Sequence, residues 1–178
     1  MAKVEVAYDR YIGPLLQALQ QPGALLVSLD ENERPNPMTI GWAQIGIIWG
    51  RKILSVMVRP SRYTYHCMEA TRDFTVCAPY ADLASEIACC GSKSGREHDK
   101  FAECGFTEHP SEIIKSPGIA ECGLIYQCQV VNFADFIPEH LLPKVCTDCY
   151  SSGDYHRIYF GEIMNVVADE DFETRFGG

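Results

Sequence analysis

The chain lacks the long apolar run of a membrane span. Its longest apolar stretches, such as 45–49, fall far short of the ~20 residues that cross a bilayer. The first ten residues, MAKVEVAYDR, mix charge and apolar groups too finely for the hydrophobic segment of a signal peptide. No Asn-x-Ser/Thr sequon occurs, and the expected location is the cytoplasm. Positive charge is also scarce: 15 Lys and Arg stand against 24 Asp and Glu, a net charge of −9. That balance argues against nucleic acid or an anionic membrane as a general partner, since both need clustered cationic surface. There is no low-complexity tract to suggest disorder. Neither GxGxxG nor GxxxxGK[ST] is present, so the dinucleotide and P-loop fingerprints are absent.

What is there reads as one globular domain over 1–178, with 47% hydrophobic residues and enough length to bury a core without a disulfide or metal staple. Nine cysteines are many and cannot all pair, so in a chain without a secretory signal free thiols are the expectation.

The local patterns favour strands. A short helix is expected over 8–20, with Pro14 in its first turn and Pro22-Gly23 as its stop. Strands are expected at 24–29, 38–49, 53–58, 74–78, 119–135 and 156–167. Ser61 is placed as the N-cap of a helix reaching about Thr71, and further helices are expected over 82–89 and 98–104. The stretches 90–95 and 138–154 read as loops. Strands dominate, and strand–helix–strand alternation is irregular, which points to an antiparallel barrel with helical excursions.

Charge placement is the most informative feature. Between Arg51 and Lys100 lie eight basic residues (51, 52, 59, 62, 72, 93, 96, 100) and six acidic ones, a local balance of +2 that leaves −11 for the rest. Such an island suits a small anion better than a polyanion. In Arg59-Pro-Ser-Arg-Tyr-Thr64 a strand gives way to a helix whose first amides would suit a phosphate; the plainer reading is a Ser61 cap with arginines paired to acids. Cys90-Gly-Ser-Lys-Ser-Gly-Arg-Glu-His-Asp-Lys100 is either a second anion-facing loop or a solvated turn. In Asn36-Pro-Met-Thr-Ile-Gly-Trp42, a Gly beside a Trp marks close approach by a ligand or by another backbone.

Together, Asn-x-Met-Thr-x-x-Trp (36–42), Arg-Pro-Ser-Arg-Tyr-Thr (59–64) and Cys-Gly-x-x-Ser-Gly-Arg-x-x-Asp-Lys-Phe (90–101) resemble the flavin reductase-like proteins with an FMN-binding split barrel, nearest the flavoredoxin branch. The resemblance spans about 22–167. It implies a mainly β fold, a six-stranded antiparallel Greek-key split barrel with short inserted helices, forming a homodimer with one FMN near the interface of each subunit. It places Asn36, Met38, Thr39, Ile40, Gly41 and Trp42 along the isoalloxazine ring. Arg59, Ser61, Arg62 and Thr64 fall by the phosphate or ribityl chain, with Ser94 and Lys100 approaching from the third motif. His140 and Phe172 correspond to positions near the ring. Cys77 departs from the family's usual Asn, so that either a polar contact is lost or a thiol adjoins the flavin. No side chain is assigned as catalytic, because FMN carries the redox chemistry.

The implied function is an FMN-dependent oxidoreductase taking electrons from NAD(P)H or a protein donor. The alternatives are a non-catalytic electron carrier between protein partners and a thiol- or metal-binding module. Cys146-Thr-Asp-Cys149 is the lone CxxC. Without a second pair it does not make a four-ligand metal site, so it is either inert or a redox pair. Cys67, Cys77, Cys122 and Cys128 are expected to be buried hydrophobes. His66, His98, His109 and His156 have no metal-ligand spacing.

Overall fold

A computed structural model describes residues 2–176; residues 1, 177 and 178 of the expected domain lie outside the described residues. In chain order the elements are β1 (Lys3–Glu5), α1 (Ile12–Gln20), β2 (Ala24–Leu29), β3 (Pro35–Ile40), β4 (Ala43–Ile48) and β5 (Arg51–Val58). There follow α2 (Tyr63–Thr71), β6 (Asp73–Ala78), α3 (Ala84–Ser92), α4 (Lys100–Cys104), β7 (Glu108–His109) and β8 (Gly118–Ile119). The chain closes with β9 (Leu124–Asp135), α5 (Pro143–Cys149), β10 (Arg157–Asp169) and α6 (Phe172–Phe176). Single 3₁₀ turns occupy Ala81–Leu83 and Pro138–His140.

One antiparallel sheet runs in the order β3-β2-β6-β9-β10-β5-β4, with β1 added to β10, so eight strands join where the resemblance implies six. The length of β10 explains the addition. Its first half pairs with β5 through Arg157–Glu162, and the same edge then takes β1 opposite Val167, Ala168 and Asp169. The path ends at β3 and β4, neighbours in sequence that share no ladder among the described residues. The mainly β split barrel is therefore open at that seam.

Burial explains why β2 and β6 read as continuous apolar runs. Both are buried at every position. Leu26 opposes Met38 and Val76 inside the barrel, while Leu25 and Val27 join Cys77, Ile87, Cys90 and Phe101 in a second cluster under α3 and α4. On α1, Leu15, Ala18 and Leu19 form the buried stripe at helical spacing.

The expected strand over 38–49 is two strands. The break falls at Gly41, where an added Cβ would lie 3.2 Å from the Leu19 carbonyl. Trp49 (φ 55°) and Gly50 (φ 69°) then form the left-handed pair of a two-residue hairpin. The expected strand at 119–135 is likewise divided between β8 and β9. The loop expected at 90–95 begins later, because α3 continues to Ser92, and the stretch 138–154 contains α5. Among the described residues no helix is long and apolar enough to cross a membrane.

Candidate functional site

Two cavities open beside the seam. The first, about 200 Å³, is lined by Met38, Thr39, Ile40, Gly41, Trp42, Met57, Arg59, Arg62 and His156. The second, about 180 Å³, is lined by Met38, Ser61, Arg62, Tyr63, Thr64, Cys90, Lys93, Ser94, Gly95, Arg96 and Lys100. They share Met38 and Arg62, and so adjoin. Segments far apart in sequence meet here because β2 and β3 lay the first motif beside α2, and α3 and α4 fold back over β3.

The first cavity sets Met38, Ile40, Met57 and Trp42 beside Arg59, Arg62 and His156. Trp42 is 43% exposed and its ring lies 4.9 Å from that of His156. His156 Nδ1 and Tyr150 Oη are hydrogen-bonded at 2.8 Å. Burial, and Arg59 nearby, push the His156 imidazole down to about 4, so it is neutral at pH 7. The Thr39 hydroxyl donates to the Ile87 carbonyl at 2.5 Å, fixing β3 against α3.

The second cavity is cationic. Lys100 is 3% exposed, and its Nζ makes one long hydrogen bond, 3.5 Å, to the Cys90 carbonyl. No carboxylate pairs with it among the described residues, and burial lowers its pKa. The Arg62 guanidinium makes no hydrogen bond or ion pair among the described residues, although its backbone bonds to Arg59 and Tyr65. Lys93 pairs with Glu103 at 2.6 Å, and Arg96 donates to the Ser61 carbonyl at 3.2 Å while lying over the Tyr63 ring.

Several expected site residues serve other ends. Ser61 is not the N-cap of α2. That position is Arg62, without a side-chain cap; the Tyr65 amide donates to the Arg62 carbonyl at 3.1 Å, which leaves the Tyr63 and Thr64 amides without a partner among the described residues. The Ser61 amide and hydroxyl donate instead to the Asp154 carboxylate at 3.2 and 2.6 Å. Arg59 lines the first cavity, but its guanidinium donates to the carbonyls of Cys149, Asp154 and Gly153 at 2.8, 2.9 and 3.5 Å, holding the α5–β10 connection.

Asn36 is 4% exposed and lines neither of these two cavities, donating from Nδ2 to Thr64 Oγ1 at 2.9 Å while its Oδ1 has no partner among the described residues. Phe172 is fully buried against Tyr11, Tyr80 and Phe176, because α6 presses its aromatic face into the core. His140 is exposed on its 3₁₀ turn and lines neither cavity. Cys77 is fully buried in the second cluster and lines neither cavity. Cys146 lies in the middle of α5 and Cys149 is its last residue, so neither is in an irregular loop.

Sequence reasoning missed His156, Met57 and Asp154. The histidine's only signal was its place at the start of a strand, next to a Tyr. Among the described residues no group of three or more His, Cys, Asp or Glu is arranged to hold a metal ion.

Gly95, in the wall of the second cavity, packs tightly against the first motif: a Cβ there would sit 2.0 Å from Asn36 Oδ1 and 2.8 Å from the Tyr63 ring. Gly95→Ala is expected to cost about 1–2 kcal/mol by displacing the Asn36–Thr64 bond. Urea unfolding checks this, and an unchanged midpoint would show that the loop stands clear of Asn36.

The family model described as flavin reductase like domain matches residues 16–176. No curated protein gives a sequence match. Among solved structures, the flavoredoxin of Desulfovibrio vulgaris (Miyazaki F) is 25% identical, with a TM-score of 0.68 over 84% of this chain and 70% of its own. The flavoredoxin of Methanosarcina acetivorans is also 25% identical, with a TM-score of 0.68 over 96% and 77%. The 2-nitrobenzoate 2-nitroreductase of Pseudomonas fluorescens shares the fold at 18% identity, with a TM-score of 0.66 over 97% and 81%.

Proposed function

The chain belongs to the flavin reductase-like domain family, and from that membership we propose that it binds one FMN and passes electrons through it from NAD(P)H or a protein donor. The observation that carries this reading is the convergence of segments 36–42, 59–64 and 90–101 on two adjoining cavities, one bounded by an indole, the other by cations. The residues fit a planar monophosphate. Among the described residues, a buried ammonium without a carboxylate, an unpaired Arg62 guanidinium and an α2 start without a side-chain cap all favour an anion in the second cavity.

When bound, FMN supplies the two-electron redox chemistry. Arg62, Lys93, Arg96 and Lys100 offset the phosphate charge, and Lys100, being dry, does so most strongly. Met38, Ile40, Met57 and Trp42 exclude water from the first cavity. Neutral His156 adds no charge there, so the charge of the first cavity comes from Arg59 and Arg62. None of these side chains is required to move a proton.

The exposed Ile47, Trp49, Ile137 and Leu142 support a homodimer, which would cover them; a monomeric mass in sedimentation would remove that part of the reading. A second reading, an electron carrier between protein partners, is favoured by the acid surface outside the basic island, which suits a basic partner.

Quenching of FMN fluorescence on titration with the protein, with saturation at one per chain, tests the site. Anaerobic bleaching of the bound flavin by NADH or NADPH supports the enzyme; bleaching by a reduced iron–sulfur protein alone supports the carrier. A flavin that keeps its free fluorescence at saturating protein would sink both.

A further inference from the structure

Three of the nine thiols gather on the helices that carry the cationic loop. Cys89 and Cys90 lie near the end of α3, and Cys104 closes α4. Cys90 Sγ stands 3.9 Å from Cys104 Sγ. Cys90 is buried and lines the second cavity, whereas Cys104 is half-buried and within reach of solvent. Between the two cysteines run Lys93, Ser94, Gly95, Arg96 and Lys100, all lining that cavity. The same two helices are joined by the Lys93–Glu103 ion pair and by the bond from Lys100 Nζ to the Cys90 carbonyl. Lys100 and Cys104 are four residues apart on one face of α4, so a pull on one moves the other.

We propose that Cys90 and Cys104 form a reversible disulfide by exchange with a small-molecule disulfide, and that this crosslink reshapes the cationic cavity and weakens its hold on an anion. In the first step the Cys104 thiolate attacks the small disulfide, giving a mixed disulfide and one small thiol. In the second, the Cys90 thiolate displaces the remaining small thiol from Cys104. The protein loses two electrons and two protons, and the small disulfide takes them up as two thiols. Closing the bond draws the sulfurs from 3.9 Å to about 2.0 Å, carrying α4 and Lys100 toward α3. Burial holds both thiols above the usual range, Cys90 at about 11, so exchange is slow at neutral pH and faster in mild alkali.

Two arms test this, and only the second rests on the flavin reading. The full chain is incubated with oxidised glutathione at mildly alkaline pH, its free thiols are counted, and its non-reduced peptides are mapped by mass spectrometry. Seven thiols and a peptide pair joining Cys90 to Cys104 are expected; Cys104→Ser, with Cys90→Ser as the second variant, removes that pair. Nine remaining thiols, or a crosslink confined to Cys146 and Cys149, overturns the proposal. In the second arm the crosslinked protein is expected to bind FMN at least tenfold more weakly, with recovery in dithiothreitol. A crosslink that leaves FMN affinity unchanged overturns the coupling. Reduced protein that fails to bind FMN sinks the flavin reading alone, since the thiol count still decides the crosslink.

Discussion

In FMN titrations Lys100→Met protein is expected to bind at least tenfold more weakly than the natural chain while melting a few degrees higher. Both effects have one cause. The Lys100 ammonium is 3% exposed, has a single 3.5 Å hydrogen bond and has no carboxylate partner among the described residues. A hydrogen bond to a charged group contributes about 1.5–3 kcal/mol, which for a phosphate in the second cavity amounts to roughly 10- to 150-fold in Kd. In the ligand-free protein the same buried charge opposes folding, and an apolar side chain of similar length removes that desolvation cost. For a chain of this length each kcal/mol moves Tm by about 2–4 °C. The opposite signs make the test sharp. A lysine that merely supports the fold would lose affinity and stability together, and Arg62→Gln, at an exposed and solvent-screened position, should weaken binding less.

The second large effect is on acid stability. The His156 imidazole sits at about 4 because it is buried and lies near Arg59. An unfolded histidine titrates near 6.5. Between those values the unfolded chain takes up a proton that the folded chain refuses. The contribution of neutral His156 is therefore complete above about pH 6.5 and drains away as pH falls, flattening below about 4. The total is of order 3 kcal/mol. His156→Gln keeps a hydrogen-bonding group for Tyr150 and does not titrate, so its stability should fall less between pH 7 and pH 4 by about that amount. Urea midpoints of both proteins at the two pH values decide it. Parallel losses would show that His156 takes up its proton without cost in the fold.

Much of the fold was legible where short-range pattern and burial coincide. The run Ala24–Leu29 is a strand in the barrel because both its faces are covered, and 74–78 is read correctly for the same reason. The misreadings arose where a contact distant in sequence intervenes. The strand expected over 38–49 breaks at Gly41 because the end of α1 passes close by, a fact that no local pattern carries. The helix α5 reads as a loop because its seven residues, PKVCTDC, have no buried stripe to announce it.

For the site, the division follows the same line. The motifs identified Trp42, Arg62, Thr64, Ser94 and Lys100, and these meet at the two cavities. Ser61 reads as a cap or a phosphate donor until Asp154, ninety-three residues on, is seen to occupy its hydrogen bonds. Arg59 reads as an anion ligand until three carbonyls of the α5–β10 connection claim its guanidinium. His156 reads only as a solvated or hydrogen-bonded side chain, and the fold makes it the latter, bonded to Tyr150 and set beside Trp42.

Residue type and spacing by themselves determined which strands have two apolar faces and which segments are rich in donors and cations, since each depends on neighbours a few positions away. Only the tertiary structure decided which of those donors remain available to a ligand. Hydrogen-bonding capacity is finite, and its allotment is set by groups that folding brings together from distant parts of the chain.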